Sequence, residues 1–191
     1  ASAVVTIPYT VTYDANGGTP TGTMPSYKVQ PGSTHNVVSV NDMTKDGCIF
    51  VGWSKTKTDV INAHDTKPEV PNPGTELTID GNTTLYAVWA VNVNGNDKPD
   101  YEESYSVTYN WDGDAPTDAK LPDSVSGLKP GDTYTVDTTY TDKLPVDDGT
   151  YIWTFQGWDH TDKITIVDES ITITGRWTRT EKVSTITISF M

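Results

Sequence analysis

The chain has 191 residues, room for one or two domains, and carries 13 basic against 26 acidic side chains for a net charge of −13. Such a surface repels phosphate, which argues against nucleic acid and anionic membrane as partners. The single cysteine, Cys48, rules out an intrachain disulfide, and no apolar run reaches the roughly 18 residues of a membrane span.

The acid is unevenly spread. Residues 1–90 hold 5 basic and 8 acidic side chains, residues 91–191 hold 8 and 18. Abundant Thr favours strands, and six Trp with ten Tyr supply large apolar areas for small cores. The start, ASAVVTIPYTVTY, shows no signal peptide, so a trimmed or internal segment is expected.

Tyr9–Tyr13 alternates as a strand and ends at Asp14-Ala15-Asn16-Gly17-Gly18, where Asn and Gly accept positive φ. A second strand is expected over 34–40, and a short aromatic third over Cys48–Trp53. Residues 54–76 read as a long irregular excursion. Leu77–Asp80 and Thr84–Trp89 read as a closing hairpin across Gly81-Asn82. Residues 91–104, VNVNGNDKPDYEES, lack apolar periodicity and read as a linker. The pattern then restarts. Tyr105–Tyr109 and Thr133–Val136 are strands, Trp153–Trp158 is aromatic, and Ile164–Val167 with Ile171–Trp177 repeats the closing hairpin. No helix of ordinary length is expected. Residues 180–191 alternate like a strand that continues the sheet or starts a further module.

Two short sequences mark the repeat. Val11-Thr12-Tyr13 precedes Phe50-Val51-Gly52-Trp53, and Val107-Thr108-Tyr109 precedes Phe155-Gln156-Gly157-Trp158. The order matches and the spacing does not: Trp53 to Trp89 is 36 positions, Trp158 to Trp177 is 19. Loops tolerate insertion where core strands do not. In a regular strand Phe and Gly of this motif share one face, and the middle residue and Trp share the other. A module below about 100 residues has few ways to build a core. The expected core therefore comprises Tyr13, Phe50, Gly52, Trp53, Trp89, Tyr109, Phe155, Gly157, Trp158 and Trp177. Trp111, beside a turn, and Trp153 are the candidate ligand contacts.

On VTYDANGG (11–18), FVGWS (50–54) and GNTTLYAVW (81–89), residues 9–90 resemble the Listeria–Bacteroides repeat, the internalin B-repeat. On YSVTYNWDGDAP (105–116), GLKPGDTYTVDTTY (127–140) and FQGWD (155–159), residues 105–178 resemble a SHIRT-type stalk repeat of Gram-positive surface proteins. The resemblance implies a mostly β fold of two small tandem modules arranged end to end, the first β-grasp-like and the second a related β-rich domain. The expected boundaries are 1–90, a linker at 91–104, a second domain at 105–179, and a C-terminal strand or start of a next module at 180–191. It also implies an extracellular location on a bacterial cell surface and work in projection or adhesion rather than catalysis.

The linker holds the one metal-like spacing. Counting from Asn92, positions 1, 3, 5, 9 and 12 are Asn92, Asn94, Asn96, Asp100 and Glu103, and Lys98 at position 7 offers its carbonyl. That is the oxygen spacing of an EF-hand-type loop. Position 6 is Asp97 rather than Gly, and only two of the side-chain ligands are charged. The run reads either as a solvated turn-forming linker or as a weak, roughly millimolar Ca²⁺ site. No other cofactor is expected.

His35, His64 and His160 lack any ligand spacing and read as isolated surface residues. Cys48 reads as a small buried apolar residue, and the acid pairs as turn residues; no catalytic residue is expected. Lys28 and Lys129 lie near strands, where an isopeptide crosslink would need an Asn partner that the sequence does not identify. The leading expectation is a non-enzymatic, monomeric stalk or adhesion module whose partners are neighbouring modules of the same surface protein. The alternative is a module that binds a glycan or a host or microbial surface protein through exposed aromatics or the 54–76 loop.

Overall fold

The computed structural model describes residues 4–39, 43–140, 143–183 and 187–188. The chain divides into compact units at 1–103 and 104–191. Among the described residues eight strands build the first: β1 (Tyr9–Asp14), β2 (Thr19–Pro20), β3 (Ser26–Val29), β4 (Thr34–Asn36), β5 (Met43–Thr44), β6 (Cys48–Ser54), β7 (Glu76–Thr78) and β8 (Thr83–Val91). The main sheet runs β3-β1-β8-β6. Its centre is the first strand against the last, β1 parallel to β8, in register from Val11↔Thr83 to Asp14↔Tyr86. β3 and β6 flank that pair, each antiparallel to its neighbour.

The second unit repeats this plan. Its strands are β9 (Tyr105–Asp112), β10 (Val125–Leu128), β11 (Thr133–Thr135), β12 (Val146–Asp147), β13 (Tyr151–Trp158), β14 (Lys163–Thr165) and β15 (Ile171–Glu181). The main sheet runs β10-β9-β15-β13-β12, again with first and last strands parallel, from Ile171↔Val107 to Arg176↔Asp112. The fold is mostly β, two β modules in tandem. Among the described residues a single 3-10 turn, Asp100–Glu102, is the only helical element.

The two closing hairpins do not form. β7 pairs antiparallel with β4, not with β8, and β14 pairs with β11, not with β15. A two-residue hairpin of the Asn-Gly type needs positive φ at its central residues, and neither Gly81 nor Asn82 has it. Asn82 instead turns its Oδ1 to accept from Thr10 N, 2.9 Å away, and so caps the neighbouring strand. Both flanks of β8 are already occupied by β1 and β6. The strand expected over 34–40 is confined to Thr34–Asn36, and its last residue, Val40, lies outside the described residues. The alternation expected over 180–191 contributes only its first two residues to β15, while 184–186 and 189–191 lie outside the described residues.

Alternation places the cores. Val11 and Tyr13 of β1 are buried with Leu85, Ala87 and Trp89 of β8 and with Trp53 and Ile79. Val107, Tyr109 and Ile173 lie at the corresponding positions of the second unit, with Val136 and Ile166. β8 differs from β15 in being buried on both faces: Val88 and Ala90 are as sealed as Leu85. The excursion 54–76 covers that second face. Ile61 bridges Ala90, and Pro71 O accepts from Trp53 N.

Candidate functional site

The Phe-x-Gly-Trp motif is a β-bulge in both units. Phe50 pairs with Trp89 and Gly52 with Val88, so Val51 is the extra residue; Phe155 pairs with Trp177 and Gly157 with Arg176, so Gln156 is the extra one. The glycines stand at φ +146° and +114°, where a side chain is strained. The bulge resets the pleat, and the facing expected for a regular strand fails for that reason. Phe and Trp now share the core face, with ring centroids 5.1 Å apart for Phe50–Trp53 and 5.2 Å for Phe155–Trp158. One glycine thus brings two large rings to one side of a strand.

The tyrosine of each Val-Thr-Tyr segment meets that corner edge-on. Tyr13 lies 4.7 Å from Trp53 and Tyr109 lies 4.9 Å from Trp158, centroid to centroid. Each hydroxyl ties down the chain just after β4 or β11. Val38 N donates to the Tyr13 hydroxyl at 3.0 Å, and Asp137 N to that of Tyr109 at 2.8 Å. A second partner completes each hydroxyl: His35 Nε2 at 2.8 Å in the first unit, the Tyr134 hydroxyl at 2.8 Å in the second. His35 is therefore a buried core residue, 8 % exposed, and not the isolated surface histidine expected. Burial holds its pKa below the ordinary imidazole value. Burial, with the Tyr109 hydrogen bond next, pushes the Tyr134 phenol well up.

Trp153 is buried, and Trp111 is half-buried within a cluster of rings. Trp111 stacks on Trp158 at 5.2 Å and 12° and meets Phe155, Trp177 and Tyr140 edge-on or tilted around it. Gly175 makes that stack fit: a Cβ there would stand 2.4 Å from the Trp158 ring and 2.8 Å from that of Trp111. Trp153 is 4 % exposed and donates its indole N–H to Asp148 Oδ2 at 2.7 Å, while Arg179 lies over its ring. That leaves no free ring face at Trp153, because the aromatic strand turns it inward with Phe155. Gly18 plays the Gly175 part in the first unit, with a Cβ 2.3 Å from the Trp89 ring. Asn16, at φ +48°, donates its amide to Thr58 O and Ala87 O, both at 2.9 Å. The Asn-Gly-Gly turn signalled positive φ; the ring it must clear is separated by some seventy residues and left no local signal.

The run 92–103 folds back on itself within the first unit. Asn92 Nδ2 donates to Asn96 O at 2.6 Å, and Val93 N donates to both carboxylate oxygens of Asp100 at 3.1 and 3.2 Å. Asn94 Nδ2 and Asn96 Nδ2 donate to Glu103, at 3.1 and 2.8 Å at their nearest. Asp100 is fully buried and Glu103 is 8 % exposed. Of the side chains at positions 1, 3, 5, 9 and 12, Asn94 and Asn96 thus meet Glu103, while Asn92 and Asp100 are held by the backbone of the same run. Lys98 shapes the turn through its backbone N–H, which donates to Asn96 Oδ1 at 2.8 Å. The sharp turn falls at Gly95, φ +70°, and not at Asp97. Lys67 of the excursion reaches Glu102 Oε1 at 2.6 Å. A shallow cavity of about 510 Å³ beside that contact is lined by Lys67, Val70, Pro99 and Tyr101 among others.

Nothing reactive gathers elsewhere among the described residues. The Cys48 thiol is half-buried, and burial raises its pKa, away from a thiolate nucleophile. Among the described residues no three His, Cys, Asp or Glu side chains cluster at metal-ligand spacing, and no helix is long and apolar enough to cross a membrane. Lys28 Nζ donates to Thr10 Oγ1 at 2.6 Å, a cross-strand hydrogen bond.

Comparison with known proteins assigns each unit. Residues 9–88 match the family model of the Listeria-Bacteroides repeat domain, and residues 103–180 match that of the SHIRT domain. Among solved structures the chain is similar to streptococcal SHIRT domains 3-4 from a cell surface protein, at 18% identity and a TM-score of 0.42, covering 91% of this chain and 99% of that one. The curated proteins include no match. These families are repeat modules, the second from Gram-positive surface proteins. The chain therefore joins a segment that matches the Listeria-Bacteroides repeat domain to one that matches the SHIRT domain.

Proposed function

We propose that this chain is a non-enzymatic spacer of an extracellular, cell-surface protein, which carries load and presents an adhesive region borne by neighbouring modules. The observation that supports this reading is the parallel pairing of first and last strands in each unit, β1 with β8 and β9 with β15. Tension entering at the start of β1 and leaving at the end of β8 pulls the two strands along their length in opposite senses. The ladder hydrogen bonds between them then share the load at once instead of opening one by one. The aromatic corner adds resistance, because sliding the strands would unseat Trp53 or Trp158 from its tyrosine.

The ligand-binding alternative would use the 54–76 segment or the half-buried Trp111, since Trp153 is sealed. Force spectroscopy on the full chain tests the spacer reading. Two discrete ruptures are expected, each releasing on the order of 25–30 nm at roughly 3.5 Å per residue. Smooth extension without rupture peaks would overturn it.

A further inference from the structure

We propose that the segment Asn92–Glu103 is a Ca²⁺ site, built from amide, carboxylate and main-chain oxygens, that locks the loop after β8. The ligand set is the side-chain oxygen of Asn92, Asn94, Asn96 and Asp100, the carbonyl of Lys98, and both oxygens of Glu103. That is seven hard oxygens at the spacing a flexible Ca²⁺ loop uses. Spacing was legible in sequence; the structure adds two independent points.

The first is convergence. Positions 1, 3, 5, 9 and 12 belong to a run of twelve residues; the fold brings the Asn94 and Asn96 side chains onto Glu103, turns Asn92 onto the Asn96 carbonyl, and holds Asp100 against the backbone N–H of Val93, the residue after Asn92. Two carboxylates, Asp100 and Glu103, are withdrawn from solvent in the same loop. Burying charge is costly, and a dication bound between them offsets it.

The second is an orphaned atom. Asn92 Oδ1 is buried and has no hydrogen-bond partner, although its own Nδ2 is engaged with Asn96 O. Among the described residues it is the one carboxamide oxygen in that condition. A buried acceptor without a donor calls for an explanation, and a cation is one that a backbone N–H would not imitate. It occupies the first ligand position of the loop.

The contacts also say what binding must change. Asn94 and Asn96 point amide N–H groups at Glu103. A cation held by Glu103 needs their oxygens there instead, so both carboxamides turn about their last side-chain bond and give up the hydrogen bonds that their Oδ1 atoms accept from Asn96 N and Lys98 N. The ion-free hydrogen bonds and the ion are thus alternatives. Two charged ligands, and a turn at Gly95 where such loops turn at position 6, place the affinity at roughly 10⁻⁴–10⁻³ M, the range of extracellular modules. The proposal does not rest on the spacer reading.

Calorimetric titration of Ca²⁺ into the full chain, with Tb³⁺ luminescence sensitised by Tyr101 as a second probe, tests it. One site per chain is expected. Asn92→Asp, which adds a third carboxylate, should tighten it about tenfold, and Glu103→Gln should abolish it. Should Glu103→Gln fail to fold, the direction of the Asn92→Asp change still decides. No heat and no luminescence up to ten times the expected dissociation constant overturns the proposal. So does binding that Asn92→Asp leaves unchanged, since the ion would then sit elsewhere on the acidic surface.

Discussion

The Phe-x-Gly-Trp corners of the two units have the same backbone and different surroundings. Gly52 pairs with Val88, which is sealed, and Gly157 pairs with Arg176, which is exposed. A Cβ on Gly52 would stand 2.5 Å from Val70 of the excursion, while one on Gly157 meets nothing within 4 Å. The insertion between Trp53 and Trp89 is therefore a second cover for the sheet, present in the first unit and absent from the second. The bulge is the shared element, and its glycine serves ring placement; the close approach of Val70 is an addition specific to one copy.

Substituting the two glycines separates these roles. Gly157→Ala should cost roughly 1–3 kcal/mol, the strain of a side chain at φ +114°. Gly52→Ala should cost that and a further overpacking penalty of roughly 1–3 kcal/mol against Val70. Hydrogen exchange resolved by unit, with denaturant melts of the full chain, measures both. A double-mutant cycle with Val70→Ala should show coupling to Gly52 and none to Gly157. Equal losses at the two glycines without coupling would break the comparison.

The tyrosine anchors sharpen it from the other side, because there the units agree. Tyr13→Phe strands Val38 N and His35 Nε2, and Tyr109→Phe strands Asp137 N and the Tyr134 hydroxyl. Each should destabilise its own unit by about 1–3 kcal/mol, with the exchange of the Val38 or Asp137 amide accelerated first. A loss in one unit only would mean that the hydroxyl is structural in one copy and incidental in the other.

What the sequence made legible follows from locality. Alternation and ring spacing located β1, β6, β8 and their counterparts, and the Asn-Gly-Gly turn declared its positive φ. The bulge escaped because strand periodicity assumes an unbroken pleat, and Phe-x-Gly-Trp reads as regular until the partner strand is known. The hairpin expectation failed because turn residues between two alternating runs do not say which strand each run will pair with. β7 and β14 find β4 and β11, some forty and thirty residues earlier. His35 was read as a surface residue since nothing adjacent in sequence announces Tyr13. The loop 92–103 is the opposite case: its spacing was plain, and only the fold could show Asp100 and Glu103 turned inward.

The smallest expected effect distinguishes the units by pH. His35 and Tyr134 hold equivalent places against Tyr13 and Tyr109, but only the histidine titrates near neutrality. Burial beside Tyr13 and Tyr27 lowers the folded-state pKa of His35 below the unfolded value of about 6.5. The unfolded chain then binds the proton first, so stability present above about pH 6.5 is lost as pH falls through that value. The first unit should soften between pH 7 and 5.5 while the second holds, read by unit-resolved hydrogen exchange. His35→Tyr, which installs the partner used by the second unit, should flatten the profile. If the wild-type first unit is already flat over that range, the two anchors are electrostatically equivalent, and the choice of histidine or tyrosine there carries no pH response.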